Sequence, residues 1–178
     1  MPARSTAPRP TPTRADWARV RLFAMDVDGV LTDGNVFIAH GRSELKSFSI
    51  LDGSGLKRAI RQGVAIAWIS GRPSPATTAR AKELGIPHVV QGRSDKLTAL
   101  QELARELNLH ADDCVYMGDD DIDAPAMRWA RIGVSVPGAM AVAHAAADYI
   151  TQRDGGRGAV REVCDLILAA RAAKKATG

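Results

Sequence analysis

Two acidic clusters stand where this sequence passes from an apolar run into a polar one. The first, Asp26-Val27-Asp28-Gly29-Val30-Leu31-Thr32-Asp33, follows the apolar stretch that begins at Val20. The second, Gly118-Asp119-Asp120-Asp121-Ile122-Asp123, follows Cys114 to Met117. Carboxylates at this density repel one another unless a cation lies among them, and aspartate oxygens are hard ligands of the kind Mg²⁺ prefers. A blander reading makes Asp28-Gly29 a turn and the second cluster a solvated helix start, where acids favour the macrodipole.

Two further residues complete a constellation. Ser70 ends the apolar run Ala65 to Ile69 and is followed by Gly71-Arg72, and Lys96 stands at the start of a helical pattern. A hydroxyl and a cation at strand ends suit a phosphoryl group, whose charge must be met by fixed donors and cations. Taken alone, each is an ordinary residue, and Lys96 reads equally well as a surface lysine.

The elements that must carry these residues alternate. Val20 to Asp26, Val64 to Ser70, Val89 to Gln91, Cys114 to Gly118 and Ile132 to Val136 read as buried strands. Between them, Pro75 to Leu84 reads as a helix, and Leu97, Leu100, Ala104 and Leu107 share one face of another. This repetition predicts an α/β domain with a doubly wound parallel sheet. In such sheets the ligand crevice lies beyond the carboxyl ends of the strands, where both acidic clusters fall.

One section departs from the series. Asn35 to Ala39 and Glu44 to Ile50 read as an inserted β-hairpin around His40-Gly41-Arg42. The alternation of Val36, Ile38, Leu45 and Phe48 gives it one apolar face in need of a partner, which a second copy of the chain could supply. Gly155, Gly156 and Gly158 predict a flexible loop, followed by an amphipathic terminal helix through Val160, Val163, Cys164, Ile167 and Leu168.

The chain of 178 residues suits one domain, expected over 16–178, and its aromatic content is only 4%. Residues 1–15, with Pro2, Pro8, Pro10 and Pro12 among Ser, Thr and Arg, predict a disordered tail. The formal charge of +4 is concentrated in Arg4, Arg9, Arg14, Arg19 and Arg21. The remainder is near balance and lacks the clustered cations and stacking aromatics of a nucleic-acid surface. No apolar stretch approaches the roughly 20 residues that span a bilayer. Cys114 and Cys164 lie in apolar patterns without pairing or metal-ligand spacing, so a cytoplasmic location is expected.

The order Asp26-Val27-Asp28, Ser70, Lys96 and Gly118-Asp119-Asp120, each after its own strand, resembles the haloacid dehalogenase superfamily of aspartate-nucleophile phosphatases. The resemblance implies that Asp26 is the nucleophile, that Asp28 protonates the leaving oxygen and then activates water, and that Asp119 is the acidic metal ligand. Asp26, Asp28 and Asp119 are then expected around Mg²⁺, with Ser70 and Lys96 completing the catalytic set. The segments joining Asp26 to Ser70 and Ser70 to Lys96 are filled by elements already named and hold no cap domain. An uncapped site is open to water, so either the substrate is large or neighbouring subunits close over it.

Within that superfamily the chain is similar, from Val20 to about Leu168, to the cap-less tetrameric phosphatases of 3-deoxy-D-manno-octulosonate 8-phosphate. The similarity rests on Asp26 to Gly34, Glu44-Leu45-Lys46-Ser47-Phe48, Asp52-Gly53-Ser54-Gly55-Leu56, Ile69-Ser70-Gly71-Arg72, Gln91-Gly92 and Gly155 to Glu162. It implies a small acidic sugar phosphate as substrate and release of phosphate and Kdo in lipopolysaccharide precursor synthesis. It also implies a homotetramer built through the hairpin 35–50. Gly71, Arg72, Lys46 and Arg157 become candidate substrate contacts, because arginine offers a bidentate fork to carboxylate or phosphate. Phe37, where the family often has Tyr, and Gly41-Arg42-Ser43-Glu44 depart from the pattern. A nine-carbon nonulosonate phosphate is therefore the alternative substrate, and a non-catalytic binding homologue or a phosphomutase the alternative roles.

Overall fold

The computed structural model describes residues 10–38, 40 and 44–177. Six parallel strands form one sheet in the order β5-β4-β1-β6-β7-β8. They are β1 (Leu22–Met25), β4 (Ala65–Ser70), β5 (His88–Gln91), β6 (Cys114–Met117), β7 (Ile132–Ser135) and β8 (Tyr149–Ile150), while β2 (Phe37–Ile38) and β3 (Glu44–Leu45) pair separately. Strand β1 is central, with Leu22 opposite Ala65 on one side and Cys114 on the other. Every residue of β1 is buried, as expected of a parallel strand covered on both faces.

Alternate residues of these strands feed two cores. Phe23, Met25, Ile66, Trp68, Val115 and Met117 pack against α2 (Ile50–Arg61), α3 (Pro75–Leu84) and α7 (Ala159–Thr177). Leu22, Ala24, Ala67, Ile69, Cys114 and Tyr116 pack against α4 (Lys96–Glu106), α5 (Ala124–Trp129) and α6 (Ala141–Ala146). This is the doubly wound three-layer arrangement that the alternating pattern predicted, because period-two side chains present an apolar surface to both helical layers.

Four local features differ from the sequence reading. Helix α1 (Arg14–Arg19) begins inside the segment 1–15, capped by Thr13 in a capping box with Asp16, and its Trp17 packs edge-on against Tyr149. Residues 1–9 of the expected tail lie outside the described residues. The second hairpin strand stops at Leu45, and Ser49 instead caps α2, its Oγ accepting from the amides of Leu51 and Asp52. Glycines 53 and 55 lie within that helix. A Cβ on Gly55 would come within 2.8 Å of the Arg161 side chain of α7, so the close helix crossing outweighs the helix penalty of glycine.

The loop expected to be flexible is pinned. Gly156 donates to the carbonyl of Val30 at 3.0 Å, and a Cβ on Gly155 would stand 1.8 Å from the carbonyl oxygen of Gly29. Residues 39 and 41–43 of the expected hairpin lie outside the described residues. In the described part, Phe37 pairs with Leu45 and Ile38 with Glu44. Phe37, Ile38 and Leu45 are 60%, 68% and 61% exposed, so both faces of the hairpin are open rather than one. Phe48 turns inward, stacked on Trp68.

Candidate active site

The carboxyl ends of β1, β4 and β6 and the start of α4 converge on one point. Asp26 follows β1 directly, its amide bonded to the carbonyl of Met117 at 2.9 Å, which registers the first acidic loop on the second. Val27 accepts from the amides of Leu31 and Thr32, and Thr32 Oγ1 accepts from the amides of Gly29 and Gly34. Gly29 takes a φ of +89°, and a Cβ there would stand 2.0 Å from Oδ2 of Asp119. Glycine is therefore required both by the turn and by the approach of Asp119.

Asp123 organises the second loop. Its Oδ2 accepts from the amides of Asp119 and Asp120 at 3.2 and 3.1 Å, and its Oδ1 from Tyr116 Oη at 2.9 Å and Lys96 Nζ at 2.8 Å. Gly118 makes room for this fold-back, since a Cβ there would lie 2.3 Å from that of Asp123. Lys96, the first residue of an α4 capped by Asp95, is only 1% exposed and also reaches Asp26 Oδ1 at 2.7 Å. It is a buried cation between two carboxylates and not a surface lysine.

Oxygens of Asp26, Asp119 and Asp123 lie within 4.8 Å of one another. Three carboxylates against one ammonium leave two negative charges in a nearly dry site, the deficit a divalent cation removes. Burial first, and then the charge of Asp123, push the carboxyl of Asp26 up to about 7. Burial and the charges of Asp26 and Asp123 push Asp119 up to about 7 as well. Burial disfavours the ammonium of Lys96, but Asp26 and Asp123 outweigh it and hold its pKa above the ordinary value. Oδ1 of Asp119 is buried with no hydrogen-bond partner among the described residues. An orphaned carboxylate oxygen facing two other acids fits a hard divalent ion.

The acidic group that could hold a metal among the described residues is Asp26, Asp119 and Asp123, whereas the expected set is Asp26, Asp28 and Asp119. Asp28 sends its carboxylate to Lys46 Nζ, at 2.7 Å from Oδ1 and 2.9 Å from Oδ2, and does not join the cluster. Asp123 joins it, yet both its oxygens are already engaged, which makes it a brace for Lys96 and the loop. The sequence reading names Asp123 within the second acidic cluster without singling it out, and it gives Tyr116 no role. The four-residue interval from Asp119 to Asp123 was the available signal, whereas Tyr116 looks like any core residue of a buried strand.

The remaining expected residues form a rim. Ser70, buried at the end of β4, shares its hydroxyl with the main chain of Arg72. Gly71 faces Ile122, with room for a Cβ at 3.7 Å. Arg72 binds Glu44 of β3 at 2.5 Å, and Ser74 binds the other oxygen of Glu44, so the hairpin base is tied to the loop after β4. Lys46 comes from the same hairpin base but its ammonium is on Asp28. Arg157 is exposed between Gly156 and Gly158, on the loop that rests against Gly29 and Thr32. A separate groove of about 890 Å³ between α2 and α7, lined by Arg58, Arg61, Arg161 and Arg171, contains none of these residues.

A parallel sheet that delivers two acidic loops and a buried lysine to one end defines the haloacid dehalogenase-like hydrolases, and the family model of that description matches residues 85–162. The chain is 42% identical over 152 residues to 3-deoxy-D-manno-octulosonate 8-phosphate phosphatase KdsC of Escherichia coli K12, covering 85% of this chain and 81% of the relative. A crystal structure of the phosphatase of that name from Moraxella catarrhalis, in complex with magnesium, phosphate and KDO, superposes with a TM-score of 0.87 at 46% identity, over 92% of this chain and 96% of the other. The cobalt-bound enzyme of Haemophilus influenzae superposes with a TM-score of 0.84 at 35% identity, over 88% and 92% of the two chains. The chain belongs to this family, the 3-deoxy-D-manno-octulosonate 8-phosphate phosphatases within the haloacid dehalogenase-like hydrolases.

Proposed function

We propose that the chain hydrolyses 3-deoxy-D-manno-octulosonate 8-phosphate to Kdo and inorganic phosphate, in lipopolysaccharide precursor synthesis, with Asp26 as nucleophile. The observation that carries the chemistry is the convergence of Asp26, Asp119 and Lys96 at the strand ends, with Asp28 two residues beyond the nucleophile. The substrate follows from family membership and from the magnesium, phosphate and KDO in the Moraxella enzyme.

Asp26 and Asp119 would hold Mg²⁺, with Asp123 bracing the loop. Mg²⁺, when bound, supplies charge neutralisation and Lewis-acid polarisation of phosphate oxygens. The chain supplies the rest. Lys96 aims an oxygen of Asp26 and offsets its charge, so that the carboxylate can meet a phosphate dianion. Asp26 then bonds to phosphorus as the bond to the sugar oxygen breaks, and Asp28 passes its proton to that oxygen. In the second step Asp28 takes a proton from water, which attacks phosphorus, frees phosphate and restores the Asp26 carboxylate. Ser70 holds a transferring oxygen, and Lys46 keeps Asp28 in place between steps.

Gly71, Arg72 and Arg157 are proposed to face the phosphate or carboxylate of the sugar. The exposed apolar residues of the hairpin support assembly through 35–50 into a homotetramer whose subunits cover one another's open sites. Among the described residues no helix is long and apolar enough to cross a membrane. Both cysteines are free, with thiols pushed up by burial, which supports a cytoplasmic place for the enzyme.

The test is phosphate release from a panel of acidic sugar phosphates, with Mg²⁺ and with EDTA. Preferred turnover of Kdo 8-phosphate, abolished by chelation, is expected. Preference for a nine-carbon nonulosonate phosphate would move the substrate, and no turnover of any phosphomonoester would support a binding role.

A further inference from the structure

We propose that Asp52 is a positioning residue: its carboxylate fixes the first turn of α7 and thereby the Gly155 to Gly158 loop that presents Arg157 beside the Asp26 loop. The proposal rests on the reading of Arg157 as a substrate contact. Asp52 is 1% exposed and lies in α2, far from Asp26 and Asp119 in sequence and without a part in the phosphoryl chemistry. A carboxylate is costly to bury unless it is hydrogen-bonded, and this one is. Its Oδ1 accepts from the amide of Arg161 at 2.8 Å and its Oδ2 from the amide of Gly158 at 3.2 Å.

Those donors belong to the start of α7, where first-turn amides have no intrahelical partner. A helix is ordinarily capped by the residue just before it, but that residue is Gly158, at a φ of +106° and with no side chain to offer. The cap comes instead from another helix. Arg161 also packs over Gly55, so α2 holds α7 at two successive points along its length.

Upstream of the capped turn, the loop has little freedom. Gly156 is bonded to Val30, and added Cβ atoms at Gly155 and Gly156 would collide with the main chain of Gly29 and Thr32. Arg157 is thus the only side chain between a fixed contact on the Asp26 loop and a fixed contact on Asp52. Its charge helps hold the Asp33 carboxyl low, after the hydrogen bonds from Asn35. Removing the Asp52 carboxylate leaves one end of this span untied while the Asp26 loop keeps its own hydrogen bonds. Substrate capture should then suffer more than the chemical step.

The experiment is steady-state kinetics of the full chain with Mg²⁺, on Kdo 8-phosphate and on p-nitrophenyl phosphate. It compares wild type, Asp52→Ala, Asp52→Asn, Arg157→Ala and the double variant. Asp52→Ala is expected to raise KM for the sugar phosphate about tenfold while kcat stays within about threefold, the split left by lost binding. Asp52→Asn, which keeps an acceptor at the cap, should restore most of the KM. In the Arg157→Ala background, Asp52→Ala should add little, because the two act through one contact. If Asp52→Ala does not fold, Asp52→Glu carries the same expectation, since it keeps the charge but displaces the oxygens. The proposal is overturned by an unchanged KM, by additive effects in the double variant, or by equal losses on both substrates with a lowered Tm. Wild type that hydrolyses p-nitrophenyl phosphate but not Kdo 8-phosphate overturns the substrate reading alone, and the same comparison is then made on the acidic sugar phosphate it prefers.

Discussion

Gly29 and Asp119 share a space that only a glycine leaves open: the Cβ of any other residue at 29 would stand 2.0 Å from Oδ2 of Asp119. The two acidic loops therefore depend on each other, and the turn after Asp26 shapes the carboxylate group as much as the acids do. Gly29→Ala should displace Asp119, strain a backbone at φ +89°, and destabilise the fold by about 1–3 kcal/mol. Titration with Mg²⁺ followed by thermal shift should show weakened binding. An unaltered magnesium response in this variant would contradict the placement of Asp119.

Tyr116 and Asp123 form the buried support of Lys96. Tyr116→Phe removes one hydrogen bond to Asp123 and should lower stability by about 1–2 kcal/mol. Asp123→Asn should be worse, because it removes a charge facing Lys96 and turns one acceptor into a donor. Urea unfolding should rank the two variants in that order, and phosphatase activity should fall in the same order.

The pH dependence of the magnesium-free protein follows from Asp26 and Asp119. Both carboxyls are pushed from 3.8 up to about 7 in the folded state. Between those values the unfolded chain has released its protons while the folded chain retains them, so stability falls as pH rises through that window. Asp52, also raised by burial, adds to the same trend. Glu44, held below its ordinary value first by the hydrogen bond from Ser74, works in the opposite sense, its contribution being lost as pH falls. Magnesium binds the deprotonated carboxylates and so should raise the Tm more at pH 8 than at pH 6. Scanning calorimetry at the two pH values, with and without Mg²⁺, measures this directly.

The hairpin predicts an assembly defect. Leu45→Asp, opposite the exposed Phe37, should dissociate the proposed tetramer and lower turnover, because each site loses its cover. Light scattering coupled to size exclusion reads the mass. A monomeric wild type with full activity would remove the assembly from the account.

Much of this site was legible because its logic is local. Asp26, Ser70 and Asp119 each follow an apolar run, and a parallel sheet must bring such strand ends together. What escaped depended on contacts across the fold. The pinning of Gly155 on Gly29 is invisible in a sequence whose glycines signal freedom equally well. Gly53 and Gly55, poor helix formers inside α2, are retained for close packing on α3 and α7 respectively, a reason that no local pattern shows. No local signal separates Asp123 from Asp120 and Asp121, since all are aspartates within one short segment. No pattern in the sequence pairs Lys46 with Asp28 either.

In the proposed mechanism Asp26 takes phosphorus covalently. This step is tested most directly by the turnover number of Asp26→Asn on Kdo 8-phosphate with saturating Mg²⁺, beside a circular dichroism check that the variant is folded. A loss of roughly a thousandfold or more is expected, as for other nucleophile deletions. A folded variant within tenfold of wild type would contradict the covalent step.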